Sequence, residues 1–286
     1  MIKHQCKLLL VVMLFFASSF SYAEVSDASV NKLLVLSGLT KQVNQFPDAI
    51  KAGLEQAKQQ GTPIPDAEYS SIIKDVDKSF LPAKILNGMR VSLKKSINES
   101  EAKELLAWYE SDLGKEITRA EESASTVEAY HQMMQLSQSL LADTERVEFA
   151  NRIDALLGAT DMAMKLQENS SIAVYSAIMS ALQPNTPLNV EPFKAQMEAQ
   201  KDQTRAEIKK MVTISFVYSY QKIEIEKLQK YELFIGGPTS KKFYTTVVNS
   251  MNKEFASSIS KWAAIYVKKQ DNYLYDFYGL INNLRC

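Results

Sequence analysis

Seven apolar residues near the end of the chain recur at steps of three and four positions, which is the spacing of one face of an α-helix. They are Tyr244, Val248, Met251, Phe255, Ile259, Trp262 and Tyr266. Pro238 stands shortly before them and suits the first turn of a helix, because the N–H that proline lacks would be unpaired there. The pattern predicts one long amphipathic helix, which is stable only if other parts of the chain cover its apolar face.

A second apolar stripe predicts another long helix. Its members are Leu113, Ile117, Ala120, Ala124, Val127, Met134 and Leu141, which span about eight turns near helical spacing. Ser111 or Asp112 is placed to cap its start. The chain has nine glycines among 286 residues, which leaves few positions for hairpin turns. We therefore predict an all-α fold.

Each long helix follows a shorter helical segment, and the two pairs match at an offset of 126 residues. The matched positions are Ile97 with Ile223, Trp108 with Phe234, Lys115 with Lys241, and Ile117 with Phe243. Farther upstream, residues 36–40 match residues 156–160 at an offset of 120, and an insertion in the loop at 184–187 would reconcile the two offsets. We predict two tandem, similar, bundle-like helical units, at residues 24–142 and 143–286.

Two segments of the second unit carry their own predictions. Alternating large and smaller residues at 214–220 are typical of a strand. We interpret this segment as helix, because the repeat aligns it with residues 88–94, between two helical segments of the first unit. Near the end of the chain, Leu274, Phe277, Tyr278 and Ile281 share one helical face and predict a closing helix.

The boundary between the short and long helices of the first unit has the sequence Trp108-Tyr109-Glu110-Ser111-Asp112-Leu113-Gly114-Lys115. It resembles a family of bacterial exported proteins known as domain of unknown function 2059, in which Pro is usual where this chain has Asp112. The second copy, at 234–241, keeps Pro238 and Lys241 but differs at the small residues. The resemblance implies an all-helical fold and brings no known catalytic residues. The candidate motif positions, for which packing is the preferred interpretation, are Trp108, Tyr109, Gly114, Lys115, Phe234, Pro238 and Lys241.

Residues 1–23 have the pattern of a secretory signal peptide. A short basic start precedes a 13-residue apolar run at 8–20, and Ser21-Tyr22-Ala23 offers small residues where signal peptidase reads them. A membrane-spanning helix requires about 20 apolar residues, so the run predicts cleavage before Glu24 and no transmembrane anchor. We expect a periplasmic protein, with secretion as the alternative.

The charge of the predicted mature chain excludes the usual basis for nucleic-acid binding. Two of the 33 basic residues and none of the 33 acidic residues lie in 1–23, which leaves 31 basic and 33 acidic residues and a formal charge of −2. Phosphate binding requires a basic face.

Cys286 is the one cysteine that remains in the sequence after the predicted cleavage. A Cys286-linked dimer is therefore an alternative to an incidental free thiol.

The common sequence signatures of catalysis are missing. The chain contains no Gly-x-Ser-x-Gly elbow, His-Glu-x-x-His helix, phosphate loop or Cys-x-x-Cys pair. His131 is the one histidine after residue 23, and we place it at the edge of a helix interface. Glu121 and Glu122 are a candidate carboxylate pair, but neighbouring side chains on a helix diverge by about 100 degrees and do not converge on one substrate bond. We expect no catalytic residue, cofactor or metal site.

These features favour a non-enzymatic helical protein of the bacterial envelope that binds another protein or an apolar ligand. Its methionines and C-terminal aromatic residues offer surfaces that adapt to such partners. One alternative is a hydrolase with an unrecognised active site, and another is a purely structural helical module. Converging titratable groups in a cleft would favour the hydrolase, whereas a dry apolar groove would favour binding.

Overall fold

The computed structural model describes residues 24–59, 66–182 and 188–270. These residues are almost entirely α-helical, and the one β contact among them is an isolated bridge between Glu24 and Asn98. The prediction of an all-α fold is confirmed for this part of the chain. The helices are α1 (Asp27–Leu36), α2 (Leu39–Gln59), α3 (Asp66–Ser79), α4 (Pro82–Ser96), α5 (Glu99–Glu110), α6 (Asp112–Ala124), α7 (Val127–Gln135), α8 (Ser137–Ala142), α9 (Thr144–Leu157), α10 (Ala159–Leu182), α11 (Glu191–Ala199), α12 (Lys201–Tyr220), α13 (Ile225–Gly236) and α14 (Pro238–Gln270).

Side-chain caps determine where the two helices of the predicted motif begin. Asn98 accepts a hydrogen bond from the backbone N–H of Glu101, and Glu101 accepts one from the backbone N–H of Asn98, which forms a complete capping box at α5. Ser111 Oγ caps α6 by accepting from the N–H of Gly114 at 3.0 Å. Each such cap contributes about 1 kcal/mol to stability. The start of α6 agrees with the predicted cap at Ser111 or Asp112.

The long helix predicted from the C-terminal stripe is confirmed. α14 begins at Pro238 and continues for 33 residues to Gln270. It packs against α3, α4 and α10. Phe243, Val247 and Phe255 of α14 are buried in one cluster with residues of α1 to α5. Burial of each such side chain contributes about 1.5–3 kcal/mol.

The second long helix was predicted wrongly, because the stripe from Leu113 to Leu141 lies on three helices. α6 ends where Ser125 Oγ donates to the carbonyl of Glu122, and Thr126 caps α7 by accepting from the N–H of Ala129. A further break follows at Leu136, between α7 and α8. Hydroxyl side chains that bond to nearby backbone compete with helix continuation, and the apolar spacing does not register them.

Two further clusters of buried residues complete the core. The larger one joins Ile117 of α6 to residues of α9, α12 and α13, and the smaller one joins α7, α8, α9 and α12. The segment at 214–220 lies within α12, which confirms its interpretation as helix. Ile214, Val217 and Tyr220 are its buried face in this structure.

Some sequence predictions concern residues outside the described ranges. These are the signal peptide at 1–23, the loop at 184–187, and the closing helix and Cys286 within 271–286. Across the ranges that are described, none of the helices has both the length and the apolar composition needed to cross a lipid bilayer.

Candidate functional site

A groove of about 490 Å³ lies between α2, α7 and α12. Its lining is mostly apolar and includes Ala49 and Ala52 of α2, Ala124, Val127 and Met133 of α6 and α7, and Met211 and Val212 of α12. Thr126 and Ser125, which interrupt the predicted long helix, also line it. The break between α6 and α7 therefore contributes directly to the shape of the groove. We call this cavity the apolar groove.

His131 also lines the apolar groove. Its side chain is exposed, and its ring lies 6.0 Å from the ring of Tyr130. This position agrees with the expected edge of a helix interface. In the described ranges, no group of three or more His, Cys, Asp or Glu side chains is arranged to hold a metal ion.

A smaller cavity of about 270 Å³ adjoins the apolar groove, and both are lined by Ala124, Ser125 and Ser215. Four tyrosines and one glutamate line it, each from a different helix. They are Tyr109 of α5, Glu121 of α6, Tyr220 of α12, Tyr231 of α13 and Tyr244 of α14. We call this second space the polar cavity.

Glu121 is the centre of the hydrogen-bond network in the polar cavity. Its Oε1 accepts from the hydroxyl of Tyr220 at 2.7 Å and from the hydroxyl of Tyr231 at 2.7 Å. Tyr109 and Tyr244 share a separate hydrogen bond of 3.1 Å between their hydroxyls. No hydrogen bond or ion pair to Glu121 Oε2 occurs among the described residues.

Burial perturbs every titratable group of this cluster. Loss of hydration raises the pKa of Glu121, the Tyr220 and Tyr231 hydroxyls lower it, and the charge of Glu122 raises it, with a net increase. Burial also raises the pKa values of all four tyrosines well above their ordinary value. The tyrosines are therefore neutral at physiological pH, and Tyr220 and Tyr231 act as hydrogen-bond donors to the carboxylate.

Ser37, at the end of α1, adds a second polar group to the cavity wall. Its hydroxyl oxygen is buried and has no hydrogen-bond partner in the part of the chain that the structure describes. A buried hydroxyl without a partner costs about 1–3 kcal/mol, so the position is unfavourable unless another group binds there.

Glu121 and Glu122 occupy different environments, as their angular separation on a helix requires. Glu122 Oε2 accepts from Lys41 Nζ at 2.8 Å, on the side of α2, while Glu121 faces α12 and α13. The pair therefore does not form a two-carboxylate active site. Glu110 forms an ion pair with Lys32, away from this cluster.

The motif positions are only partly brought together. Trp108 stacks on Phe234 with ring centroids 4.3 Å apart, and Tyr109 contacts Phe234 edge-on at 5.9 Å. Lys115, Pro238 and Lys241 are exposed and take no part in either cavity. Of the seven motif positions, Tyr109 lines the polar cavity.

Gly114 has a structural role within the motif. A Cβ atom at this position would lie 2.0 Å from the carbonyl oxygen of Trp108, closer than any real contact allows. The first turn of α6 approaches the last turn of α5 this closely because residue 114 has no side chain.

Apart from Tyr109, a candidate motif position, sequence reasoning did not select the residues of the polar cavity. Glu121 was considered only within a carboxylate pair, and Tyr220 only as part of a strand-like segment. The pairs Glu121–Tyr220 and Glu121–Tyr231 are 99 and 110 residues apart in sequence. No local spacing reveals such contacts.

Comparison with known proteins identifies one region of similarity. Residues 84–143 match the profile of a family described as "Uncharacterized protein conserved in bacteria (DUF2059)". The match extends from α4 to the end of α8 and includes the motif at 108–115. The chain matches no curated protein and no solved structure.

Proposed function

We propose that the protein is a non-enzymatic binding protein that holds a small apolar ligand in the apolar groove. The observation that carries this proposal is the groove itself, which combines a volume of about 490 Å³ with a mostly apolar lining. Ligand sites typically enclose about 300–1,000 Å³ and have apolar walls with a few polar groups. Met133 and Met211 supply flexible thioethers that adapt to ligands of different shape.

A neutral fluorescent dye, N-phenyl-1-naphthylamine, tests this proposal. We expect saturable binding with increased fluorescence, because the dye leaves water for an apolar cavity. Ala52→Trp should weaken binding by about tenfold or more, since the indole would occupy the groove. The matched control is Ala83→Trp, at an exposed position on α4 that lines neither cavity. Absence of saturable binding, or equal effects of both substitutions, would contradict the proposal and leave a purely structural module as the better description.

The proposal also includes the tandem arrangement of two similar units, in which six helices of the first, α1–α6, correspond to α9–α14 of the second, while α7 and α8 lie between these two sets. α5 spans 99–110 and α13 spans 225–236, so both bounds of the two helices differ by 126, and so do the starts of α6 and α14. Gly38 and Gly158, which are 120 apart, both have positive φ and precede α2 and α10. In addition, α14 packs on α4 while α6 packs on α12, so that each unit's last helix lies on the other unit's fourth helix.

This arrangement supports duplication with an exchanged last helix. A protein with one such unit should then form a two-fold dimer in which each last helix packs on the partner's fourth helix. A monomeric single unit whose last helix packs on its own fourth helix would contradict the exchange of that helix.

Export to the bacterial envelope is the third part of the proposal. The basic start, short apolar run and small residues within 1–23 support it. Mass spectrometry of the protein from a periplasmic fraction should find Glu24 as the first residue. An intact N-terminus in the cytoplasmic fraction would exclude export.

A hydrolase is the second candidate, favoured by the convergence of Glu121 and four tyrosines in one cavity. The raised pKa of Glu121 suits this side chain to act as a general acid. The cavity lining provides one carboxylate and no histidine, which leaves the chemistry without a second acid–base group. Turnover of ester or glycoside substrates that Glu121→Gln abolishes would favour this candidate over binding.

A further inference from the structure

The fold does not by itself require a carboxylate at position 121. At the offset of 126 residues, Glu121 corresponds to Val247 and Tyr231 corresponds to Leu105. Val247 and Leu105 are both buried in the apolar cluster of α1–α5 and α14. The equivalent place in the other half of the molecule is thus filled by aliphatic side chains. Glu121 and its tyrosines are therefore a specific feature of the polar cavity rather than a requirement of helix packing.

Glu121 is partly buried and lacks a cationic partner in the part of the chain that the structure describes. None of the ion pairs among the described residues includes Glu121, whereas neighbouring Glu122 pairs with Lys41 and Glu116 pairs with Lys227. Two tyrosine hydroxyls satisfy Oε1, and Oε2 remains available to accept a hydrogen bond. A partly buried carboxylate without a cation is less favourable than a paired one, so a positively charged ligand would stabilise this site.

Aromatic rings surround the carboxylate on several sides. Phe216, Phe243, Tyr109, Tyr220, Tyr231 and Tyr244 all line the polar cavity. The faces of aromatic rings attract cations, and this attraction reaches about 2 kcal/mol where water is excluded. The same rings offer little to an anion. The walls and the carboxylate thus both favour a positively charged ligand.

We infer that the polar cavity binds the ammonium group of a primary alkylamine, whose hydrocarbon chain extends past Ser215 into the apolar groove. The ammonium group would donate to Glu121 Oε2 and to Ser37 Oγ, which has no partner among the described residues. Ser215 lines both cavities, so one elongated ligand can occupy them together. This inference rests on the proposed function, because it assigns the head group of the ligand that the apolar groove holds.

A primary ammonium head group fits this lining better than a carboxylate or an alcohol head group. A carboxylate head group would meet the charge of Glu121 and no basic side chain in the cavity lining. An alcohol would form hydrogen bonds but would leave the charge of Glu121 uncompensated. Only the ammonium supplies both donors and charge.

Binding of an amine should strengthen as pH rises. The titratable groups that act on Glu121 are Tyr220 and Tyr231, which donate to it, and Glu122 beside it on α6, while Tyr109 and Tyr244 complete the cluster. The four phenols stay neutral, and an alkylamine stays charged up to a pH of about 10. Ionisation of Glu121 is therefore the step that controls affinity, and affinity rises as pH passes through the raised pKa of Glu121.

Isothermal titration of the purified protein with octylamine, octanol and octanoate tests the inference, because the three ligands share one chain length. We expect octylamine to bind about 10- to 100-fold more tightly than octanol, the range for a charge-assisted hydrogen bond. Glu121→Gln should abolish this preference and its pH dependence while octanol binding remains. Glu122→Gln, which alters the adjacent acid paired with Lys41, should keep the preference but shift its pH dependence to lower pH, because it removes a charge that raises the pKa of Glu121.

Ser37→Ala provides a second variant, since it removes a hydroxyl without a partner and leaves the fold's own hydrogen bonds intact. It should weaken octylamine several-fold more than octanol. Equal affinity for octylamine and octanol, or a preference for octanoate, would overturn the ammonium assignment but not the apolar groove. If the neutral dye binds and none of the three ligands does, the assignment again fails and the groove stands. If the dye also fails to bind, both proposals fail.

Discussion

Trp108 and Phe234 stack face to face, with ring centroids 4.3 Å apart and planes inclined by 7°. The two residues occupy matching positions at the ends of α5 and α13, 126 residues apart. The contact therefore joins corresponding helices of the two proposed units. Tyr231, one turn earlier on α13, also stacks on Trp108, with ring centroids 6.1 Å apart, and donates a hydrogen bond to Glu121. The junction of the units and the polar cavity are thus physically connected.

A double-mutant cycle should measure the coupling between these two rings. We expect Trp108→Ala and Phe234→Ala to be less than additive, with an interaction energy of about 1 kcal/mol in urea unfolding. Trp108→Ala combined with Phe193→Ala is the control, because Phe193 stacks on Tyr175 instead. Additivity in both cycles would show that the stacking contributes nothing beyond burial.

Gly114→Ala should destabilise the protein by at least about 2 kcal/mol, because the new Cβ would collide with the carbonyl oxygen of Trp108. Gly236→Ala is the matched control at the end of α13. The nearest atom to its Cβ would be Leu156 Cδ2 at 3.9 Å. We expect no loss there and a gain of up to about 1 kcal/mol from helix propensity. Thermal and urea unfolding of both variants measure the difference, and equal stabilities would refute the steric argument.

Glu121 should make folding less favourable as pH rises. Its folded pKa is raised above the ordinary value of 4.5, mainly by burial, so the folded state holds its proton more strongly than the unfolded state. This contribution is fully present below about pH 4.5 and is lost as pH rises through the folded pKa. We expect the stability of Glu121→Gln relative to the native protein to increase over that window and then to level off. Urea unfolding at successive pH values tests this, and a constant difference would contradict it.

Thr160→Val should cost about 1–3 kcal/mol, because it removes one of two hydrogen bonds to a buried carboxylate. Asp154 Oδ1 accepts from the N–H of Thr160 at 2.8 Å, and Oδ2 accepts from its hydroxyl at 2.7 Å. The control is Thr246→Val, where an exposed hydroxyl donates to the carbonyl of Lys242. That change should cost less than about 0.5 kcal/mol. Equal losses in urea unfolding would show that the buried pair adds no stability.

Local features of the fold were predictable because their causes lie within a few residues. The capping box at Asn98, the cap at Ser111 and the start of α14 at Pro238 each depend on one turn of chain. The break at Ser125 and Thr126 is equally local, but it was missed. The apolar spacing continues across this break, so spacing alone predicted one helix, and the hydroxyl caps that end α6 and begin α7 were not considered.

The apolar stripes indicated some buried positions but not which helices cover them, and Met134 of the second stripe is exposed. Phe255 and Ile117 both appeared as core positions, and both are buried. Only the packed structure assigns Phe255 to the cluster of the first half and Ile117 to the cluster with α12 and α13. An apolar face gains similar free energy against any apolar partner, so the spacing of apolar residues does not reveal which helix packs there.

The sequence by itself determined that this chain is helical and where several helices begin. Those properties follow from backbone hydrogen bonding, capping and residue spacing, which act over three to four positions. Tertiary structure alone decided that Glu121 lies beside Tyr220 and Tyr231, and that the break after α6 lines the apolar groove. These contacts join residues about 100 positions apart. They exist because the helices of the two halves pack on each other, which no local interaction specifies.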